Sequence, residues 1–289
     1  MNNTREHWGS RVGFILAAAG SAIGLGNIWR FPYITGTNGG AAFVIIYLLA
    51  IALIGYPLMV AEISLGRKSQ KNPIGAFLAM APDTPWWLVG ALGVFAGFLI
   101  LSYYSVVAGW AVAYIFKSIG GFATDTQTLF FSTIGVDVGE GADFITPLIW
   151  HGVFMAMTIG IIAAGVVKGI QRSVKILMPL LFILLLILVV RSVTLPGAAA
   201  GVSYYLKPDF SAITGRSFLA AVAQSFFTLS LGMGAMITYG SYLNKEENIG
   251  DNAAWVVSLD TLVAFLAGFA VFPAVFALGL EPGQGPGLT

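Results

Sequence analysis

Long apolar runs separated by short polar punctuation dominate the chain, and they predict seven membrane-crossing helices. The runs fall at about Val12–Thr37, Ala41–Gly66, Trp86–Phe116, Thr146–Val167, Val174–Leu195, Phe218–Leu243 and Ala253–Gly279. Each offers about 20 residues or more with little charge, which is what roughly 30 Å of hydrocarbon requires at 1.5 Å per helical residue. The third is long for a perpendicular crossing and is expected to tilt. The stretch Pro73 to Leu78 is too short to cross and is expected to lie along the interface.

Composition narrows the classes. The chain has 289 residues, 57% apolar and 9% charged, against about 25% charged in soluble domains. A soluble enzyme could not cover its surface with so few charges. The net charge of +1 offers no broad basic field for a nucleic acid. There is no Cys, which excludes disulfides, thiolate metal sites and cysteine nucleophiles. The two histidines, His7 and His151, stand far apart in sequence and form no paired motif. An intramembrane enzyme therefore lacks a nucleophile–base or metal constellation.

Basic residues set the direction of threading. With the N-terminus in the cytoplasm, nine of the fourteen fall inside: Arg5, Arg11, Arg67, Lys68, Lys71, Lys168, Arg172, Lys175 and Lys245. The loop from Ser118 to Ile145 holds Asp125, Asp137, Glu140 and Asp143 without Lys or Arg, and would face out. The expected location is a multi-pass plasma-membrane protein, N-terminus inside. A cleaved signal peptide is the competing reading, because Arg5 and Arg11 precede an apolar run and small residues from Ala17 to Ala22. The apolar character that resumes beyond them argues against it.

Two of the seven runs are unfit to be continuous helices. The first carries Gly20, Ser21, Gly24, Gly26, Asn27 and Arg30 near mid-depth. Glycine costs about 1 kcal/mol relative to Ala inside a helix, and a central Arg about 2.5–3.5 kcal/mol on insertion scales. Close packing through small residues would account for Gly20 and Gly24 but not for Asn27 and Arg30. The sixth run repeats the feature, with Thr228 and Ser230 ahead of Gly232-Met233-Gly234. Each following run carries a late proline, Pro57 and Pro273. Interrupted helices at corresponding places of two halves point to a transporter site between inverted repeats. Unwound backbone is tolerated there when it lines a cavity. Its carbonyls suit a hard cation and its half-helix N-termini suit an anion, a combination that matches a zwitterion with Na⁺.

With these residues in hand, the chain resembles the neurotransmitter:sodium symporter family, in its prokaryotic amino-acid branch. The matching pieces are Arg5-Glu6-His7-Trp8, Gly20 through Pro32, Asn38-Gly39-Gly40, Gly55-Tyr56-Pro57 with Glu62 and Gly66-Arg67, Tyr103-Tyr104, Lys168-Gly169-Ile170, and Gln224 through Tyr242. The resemblance implies an all-α integral membrane protein with the inverted-repeat sodium symporter fold and discontinuous helices one and six. About seven of an expected twelve or so spans are present. Residues 1–195 would form the first repeat (helices one to five), and 196–289 part of the second (helices six and seven, then an outer loop). The chain is thus expected to be C-terminally incomplete and inactive in transport as it stands.

The resemblance also implies roles. The substrate would sit between the two breaks, its carboxylate on the amides of Leu25 and Gly26 with the Tyr104 hydroxyl. Its ammonium would lie on carbonyls near Ala22, Phe227 and Thr228. On the residues alone, Tyr103 and Tyr104 read equally well as interior aromatics. Gly24 stands where the monoamine branch is similar in carrying an Asp, which leaves room for a substrate with its own carboxylate. Ile100, Phe227, Ser230 and Met233 would line the side-chain pocket. The adaptable Met233 hints at a hydrophobic or aromatic amino acid, although a Met in a membrane helix more often simply packs.

Sodium is the implied cofactor, two ions in a complete protein. The first site would use the Ala22 carbonyl, Asn27, Thr228, Asp260 and the substrate carboxylate, all oxygen donors as a hard cation prefers. The second would be partial here, with carbonyls of Gly20 and Ile23. Asp260 replaces the commoner Asn, so chloride is expected not to be required, although Tyr47, Gln224 and Thr228 match members of a chloride site. Arg30 above Phe227 would close the outer side, and Arg5 with Trp8 and Tyr242 the inner side. Glu62 receives no transport role. The expected partners are a small amino acid and the lipid bilayer, with no nucleic acid and no assignable oligomeric state. The alternative function is a non-transporting amino-acid-binding membrane receptor or accessory protein.

Overall fold

A computed structural model of the chain describes residues 6–119, 121, 126–136 and 143–282. Among these residues every regular element is a helix. Five helices are long and apolar enough to cross a membrane: Ala41–Ser69, Trp87–Ile119, Ile145–Ala163, Val166–Val193 and Ile249–Ala277. They are the second, third, fourth, fifth and seventh spans. The first span is a bent pair, Arg11–Ala22 and Gly26–Thr37, meeting at 51°. The sixth is two shorter helices, Gly215–Thr228 and Ala235–Gly240.

Local chemistry starts these helices where the polar punctuation stands. Ser10 caps the first by accepting the N–H of Gly13, and Asn248 caps the seventh by accepting that of Asp251. Thr214 and Ser217 form a reciprocal capping box at the sixth. Asn72 caps the helix Pro73–Met80, the short element expected along the interface. In the second span a wide five-residue turn, Ile51–Gly55, precedes Pro57. Such a turn accommodates the hydrogen bond a proline cannot donate.

The structure departs from the sequence reading at three places. The fourth span ends at Ala163 and the fifth begins at Val166, not at Val167 and Val174. Gly165 takes a left-handed conformation, φ 86°, and stops the helix inside what looked like a continuous apolar run. The connection after the fifth span contains a helix, Ala198–Leu206, and the acidic connection after the third contains Thr126–Ile134. Of that loop's acidic residues, Asp125, Asp137 and Glu140 lie outside the described residues. Asp143 accepts the N–H groups of Ile145 and Thr146 at 2.9 and 3.3 Å. Hydrogen bonds from Thr146 and Ile145 hold its carboxyl below the usual range.

The helices form two compact units, Met1–Gly93 with Gln171–Thr289, and Val94–Ile170. In the second unit Gly109 lets two helices approach closely, since a Cβ there would lie 2.8 Å from the backbone nitrogen of His151. One turn away, His151 Nε2 and Ser105 Oγ are 3.1 Å apart. The Ser105 hydroxyl donates to the Leu101 carbonyl, so the imidazole is the donor to Ser105. Toward the end of the third span, Lys117 Nζ donates to Thr133 Oγ1 at 2.7 Å, which fastens the short helix Thr126–Ile134.

The first unit packs its seventh span against the fifth, the first and the helix Ala198–Leu206. Aromatic rings around Tyr205 and Phe272 fill that contact.

Candidate site at the two helix breaks

The first break follows from Gly24 and its neighbours. Helix ends at Ala22, and Ile23 turns extended with φ −72° and ψ 120°. The chain re-enters helix through a wide turn over Gly26–Arg30. The second break runs from Leu229 to Gly234, with positive φ at Ser230, Gly232 and Gly234 of 53°, 79° and 75°. Glycine takes such values at little cost, whereas Ser230 stores strain of about 1 kcal/mol or more.

Side chains replace the hydrogen bonds the breaks remove. Asn27, fully buried, accepts the N–H of Gly24 at 3.0 Å. Its amide nitrogen donates to Asp260 twice, to the backbone oxygen at 3.0 Å and to Oδ1 at 2.8 Å. Thr228 Oγ1 donates to both carboxyl oxygens of Asp260, at 3.2 and 3.0 Å. Asp260 is itself fully buried. Thus the first break, the second break and the seventh span converge on one carboxyl group. Ser230 Oγ donates to the Ser21 carbonyl at 3.0 Å and bridges the breaks directly.

A second bridge lies beside it. Gln224 Nε2 donates to the Gly26 carbonyl at 2.9 Å, and Gln224 Oε1 accepts from Arg30. The Arg30 guanidinium lies 4.6 Å from the centre of the Phe227 ring, a cation–π contact. The N-terminal segment closes on the other end of the sixth span. Trp8 stacks on Tyr239 with centroids 5.6 Å apart and meets Tyr242 edge-on at 6.2 Å. Its indole N–H donates to the Tyr239 carbonyl at 3.0 Å, and its backbone N–H to the Tyr242 carbonyl at 3.1 Å.

Most of the residues singled out from the sequence therefore lie within the first unit: Ala22, Gly24, Leu25, Gly26 and Asn27 at or beside one break, Phe227, Thr228, Ser230 and Met233 at or beside the other, with Asn27 and Thr228 both bonded to Asp260. Gly20 packs the first span on the fifth, where a Cβ would lie 3.2 Å from Val174, and Ile23 is buried at the break. Ile100 and Tyr104 belong to the third span, in the second unit. Arg5 lies outside the described residues. Glu62 was left without a role, yet its Oε1 accepts the N–H of Gly232 at 2.7 Å, inside the second break. A carboxylate in an otherwise apolar span was the available signal.

Comparison with known proteins decides the family. The model of the sodium:neurotransmitter symporter family matches residues 5–127 and 122–280. The chain belongs to that family. It is 47% identical over 281 residues to an uncharacterized sodium-dependent transporter, YhdH, of Bacillus subtilis, covering 97% of this chain and 62% of the relative. It is 41% identical to an uncharacterized sodium-dependent transporter of Haemophilus influenzae, covering 100% of this chain and 65% of that one. The solved structure of MhsT in complex with L-phenylalanine superposes with a TM-score of 0.91 at 52% identity, covering 98% of this chain and 64% of that one. The chain thus spans 62–65% of the length of these sequence relatives. The family is one of sodium-dependent transporters rather than enzymes, and its all-helical fold with broken first and sixth spans is the fold described above.

Proposed function

We propose that the protein is a sodium-coupled symporter of a hydrophobic or aromatic L-amino acid, working by alternating access in the plasma membrane with its N-terminus in the cytoplasm. One observation carries the reading: Asn27 and Thr228, one on each break, both hydrogen-bond the buried carboxyl of Asp260. An oxygen-rich cluster at the meeting of two interrupted helices suits a hard monovalent cation. The half-helix beginning at Gly26 presents its N-terminus to an anion.

In this reading the first sodium ion takes oxygens from Ala22, Asn27, Thr228 and Asp260 together with the substrate carboxylate. Because the substrate ligates the ion, each strengthens the other's binding, and the coupling is reciprocal. Asp260 supplies the fixed negative charge, so chloride is not required. Gly20 and Ile23 contribute carbonyls to a second ion. Tyr104 donates to the substrate carboxylate, and Ile100, Phe227, Ser230 and Met233 shape the side-chain pocket. Arg30 on Phe227 forms one gate, and Trp8 with Arg5 and Tyr242 the other. Residues 1–195 act as the first repeat and 196–289 as part of the second. The relative solved with L-phenylalanine supports an aromatic substrate here, and the glycine at position 24 supports one that brings its own carboxylate.

Binding of labelled L-phenylalanine to the purified chain in lipid nanodiscs, with sodium against potassium, tests this reading. Saturable sodium-dependent binding is expected, and competition should rank Phe, Tyr, Trp and Leu above Gly and phenethylamine. Binding indifferent to sodium would overturn it. Sodium-dependent binding combined with no uptake into vesicles, in a chain carrying all spans of its relatives, would instead favour a receptor.

A further inference from the structure

The helix Ala198–Leu206 has no part in the function argued above, yet it grips two elements at once. Its Gly201 leaves no room for a side chain against the Phe272 carbonyl of the seventh span. Its Tyr205 hydroxyl donates to the Phe265 carbonyl at 3.1 Å, and the ring fits over Gly268, where a methyl would collide with it. Next to it, the Tyr204 ring lies 5.4 and 5.2 Å from those of Phe272 and Phe276. The helix is thereby packed rigidly on the seventh span.

Tyr204 also reaches the first span. Its hydroxyl donates to the Gly36 carbonyl at 3.0 Å, and its ring lies where a Cβ on Gly40 would come within 2.9 Å. Gly36 is in the last turn of the helix Phe31–Thr37, whose terminal carbonyls have no partner within the helix. A phenol ordinarily titrates at about 10 and is a donor at neutral pH; half-burial of Tyr204 pushes it further up. The tethered half-helix is the one that carries Arg30 at its other end.

We propose that Tyr204 is a positioning residue: its hydrogen bond to Gly36 ties the C-terminal half of the broken first span to the seventh span and sets how readily that half swings away. When this half tilts, it breaks the bond to Tyr204, because the helix holding Tyr204 stays seated on the seventh span through Gly201 against the Phe272 carbonyl and through the rings of Tyr204 and Tyr205, contacts that the loss of either hydroxyl leaves in place. The tether is a property of this chain's own packing. Only its consequence for transport rests on the function proposed above.

The chain contains no Cys, so a single engineered thiol reports opening cleanly. Thr35 is fully buried on the tethered half and its hydroxyl has no hydrogen-bond partner, which makes Thr35→Cys a mild change. Purified Thr35→Cys chain, in detergent without substrate, is treated with a water-soluble thiol reagent and its labelling rate measured. Adding Tyr204→Phe keeps the ring and removes the bond. Since one hydrogen bond is worth about 0.5–1.5 kcal/mol net, labelling should accelerate roughly two- to tenfold. Adding Tyr205→Phe removes a comparable bond from the same cluster without touching the first span, and should leave the rate unchanged. An unchanged rate in Tyr204→Phe, or an equal rise in both variants, overturns the proposal. Neither outcome bears on sodium or substrate binding, so it stands or falls apart from the transport reading.

Discussion

The Glu62 carboxylate on the second span accepts the N–H of Gly232 at 2.7 Å, in the middle of the unwound stretch of the sixth. An N–H exposed by a helix break in an apolar setting costs several kcal/mol unless something takes it. Glu62 is 8% exposed and its second oxygen has no hydrogen-bond partner. The second span therefore supplies from outside the bond that the sixth cannot make for itself, and holds the break open.

Glu62→Leu should consequently destabilise the chain by about 1–3 kcal/mol, the cost of an orphaned buried donor, and reduce sodium-dependent phenylalanine binding at least tenfold. Glu62→Gln keeps an acceptor in place and should retain most of both. Thermal melting and equilibrium binding measure the pair. Parent-like binding in the Leu variant would show that the break does not depend on this carboxylate.

At Asp260 the sign of the change is set by charge. Asp260→Asn preserves shape and can still accept from Thr228, but removes a fixed negative charge from the cluster of Asn27, Thr228 and Asp260. Sodium affinity should fall at least tenfold, and chloride should now stimulate binding as a replacement anion. The comparison is phenylalanine binding in sodium chloride against sodium gluconate, for parent and variant. Chloride stimulation already present in the parent would contradict the assigned role.

The N-terminal segment offers a stability prediction. Trp8 is 4% exposed, stacks on Tyr239 and donates its indole N–H to the same residue's carbonyl. Trp8→Ala should cost about 3 kcal/mol or more of local stability, as large-to-small changes at buried aromatics do. The local sign is faster hydrogen exchange at the amide of residue 8, which donates to the Tyr242 carbonyl. Trp8→Phe keeps a ring and should fall between. Unchanged exchange in the Ala variant would mean that the segment is held elsewhere, for instance by Gln171, whose Oε1 accepts the N–H of Gly9.

The two breaks were legible in the sequence because their causes are local. Gly24-Leu25-Gly26 with Asn27 and Arg30, and Gly232-Met233-Gly234 behind Thr228 and Ser230, concentrate poor helix formers and polar groups within a few residues at mid-span, and Gly24 and Gly232 both mark real interruptions. The partners that repair the breaks were less legible, since Glu62 meets Gly232, and Ser230 meets Ser21, across long sequence separations that no periodicity encodes. The junction of the fourth and fifth spans was misplaced for another reason. Gly165 stops a helix by its backbone angle while the apolar run continues through Val166 and Val167, so hydrophobicity alone pointed past it. The helix Ala198–Leu206 was hidden by Pro196-Gly197, which ends one helix but equally allows another to start.

Gly24 provides the sharpest test of substrate class. Its N–H is bonded to Asn27 Oδ1, and it lies at the break where the proposed substrate carboxylate would approach the amides of Leu25 and Gly26. A carboxylate introduced there repels an anionic group and attracts an ammonium; unit charges about 4 Å apart interact by roughly 4 kcal/mol at an effective dielectric near 20. Gly24→Asp should therefore abolish measurable phenylalanine binding. It should also raise affinity for phenethylamine, which has the same ring and ammonium but no carboxylate. Competition binding with the two compounds on parent and variant reads the exchange directly. If both ligands weaken together, the residue is holding the break rather than selecting the substrate. If phenylalanine binding survives the added charge, the carboxylate of the substrate does not sit at this half-helix.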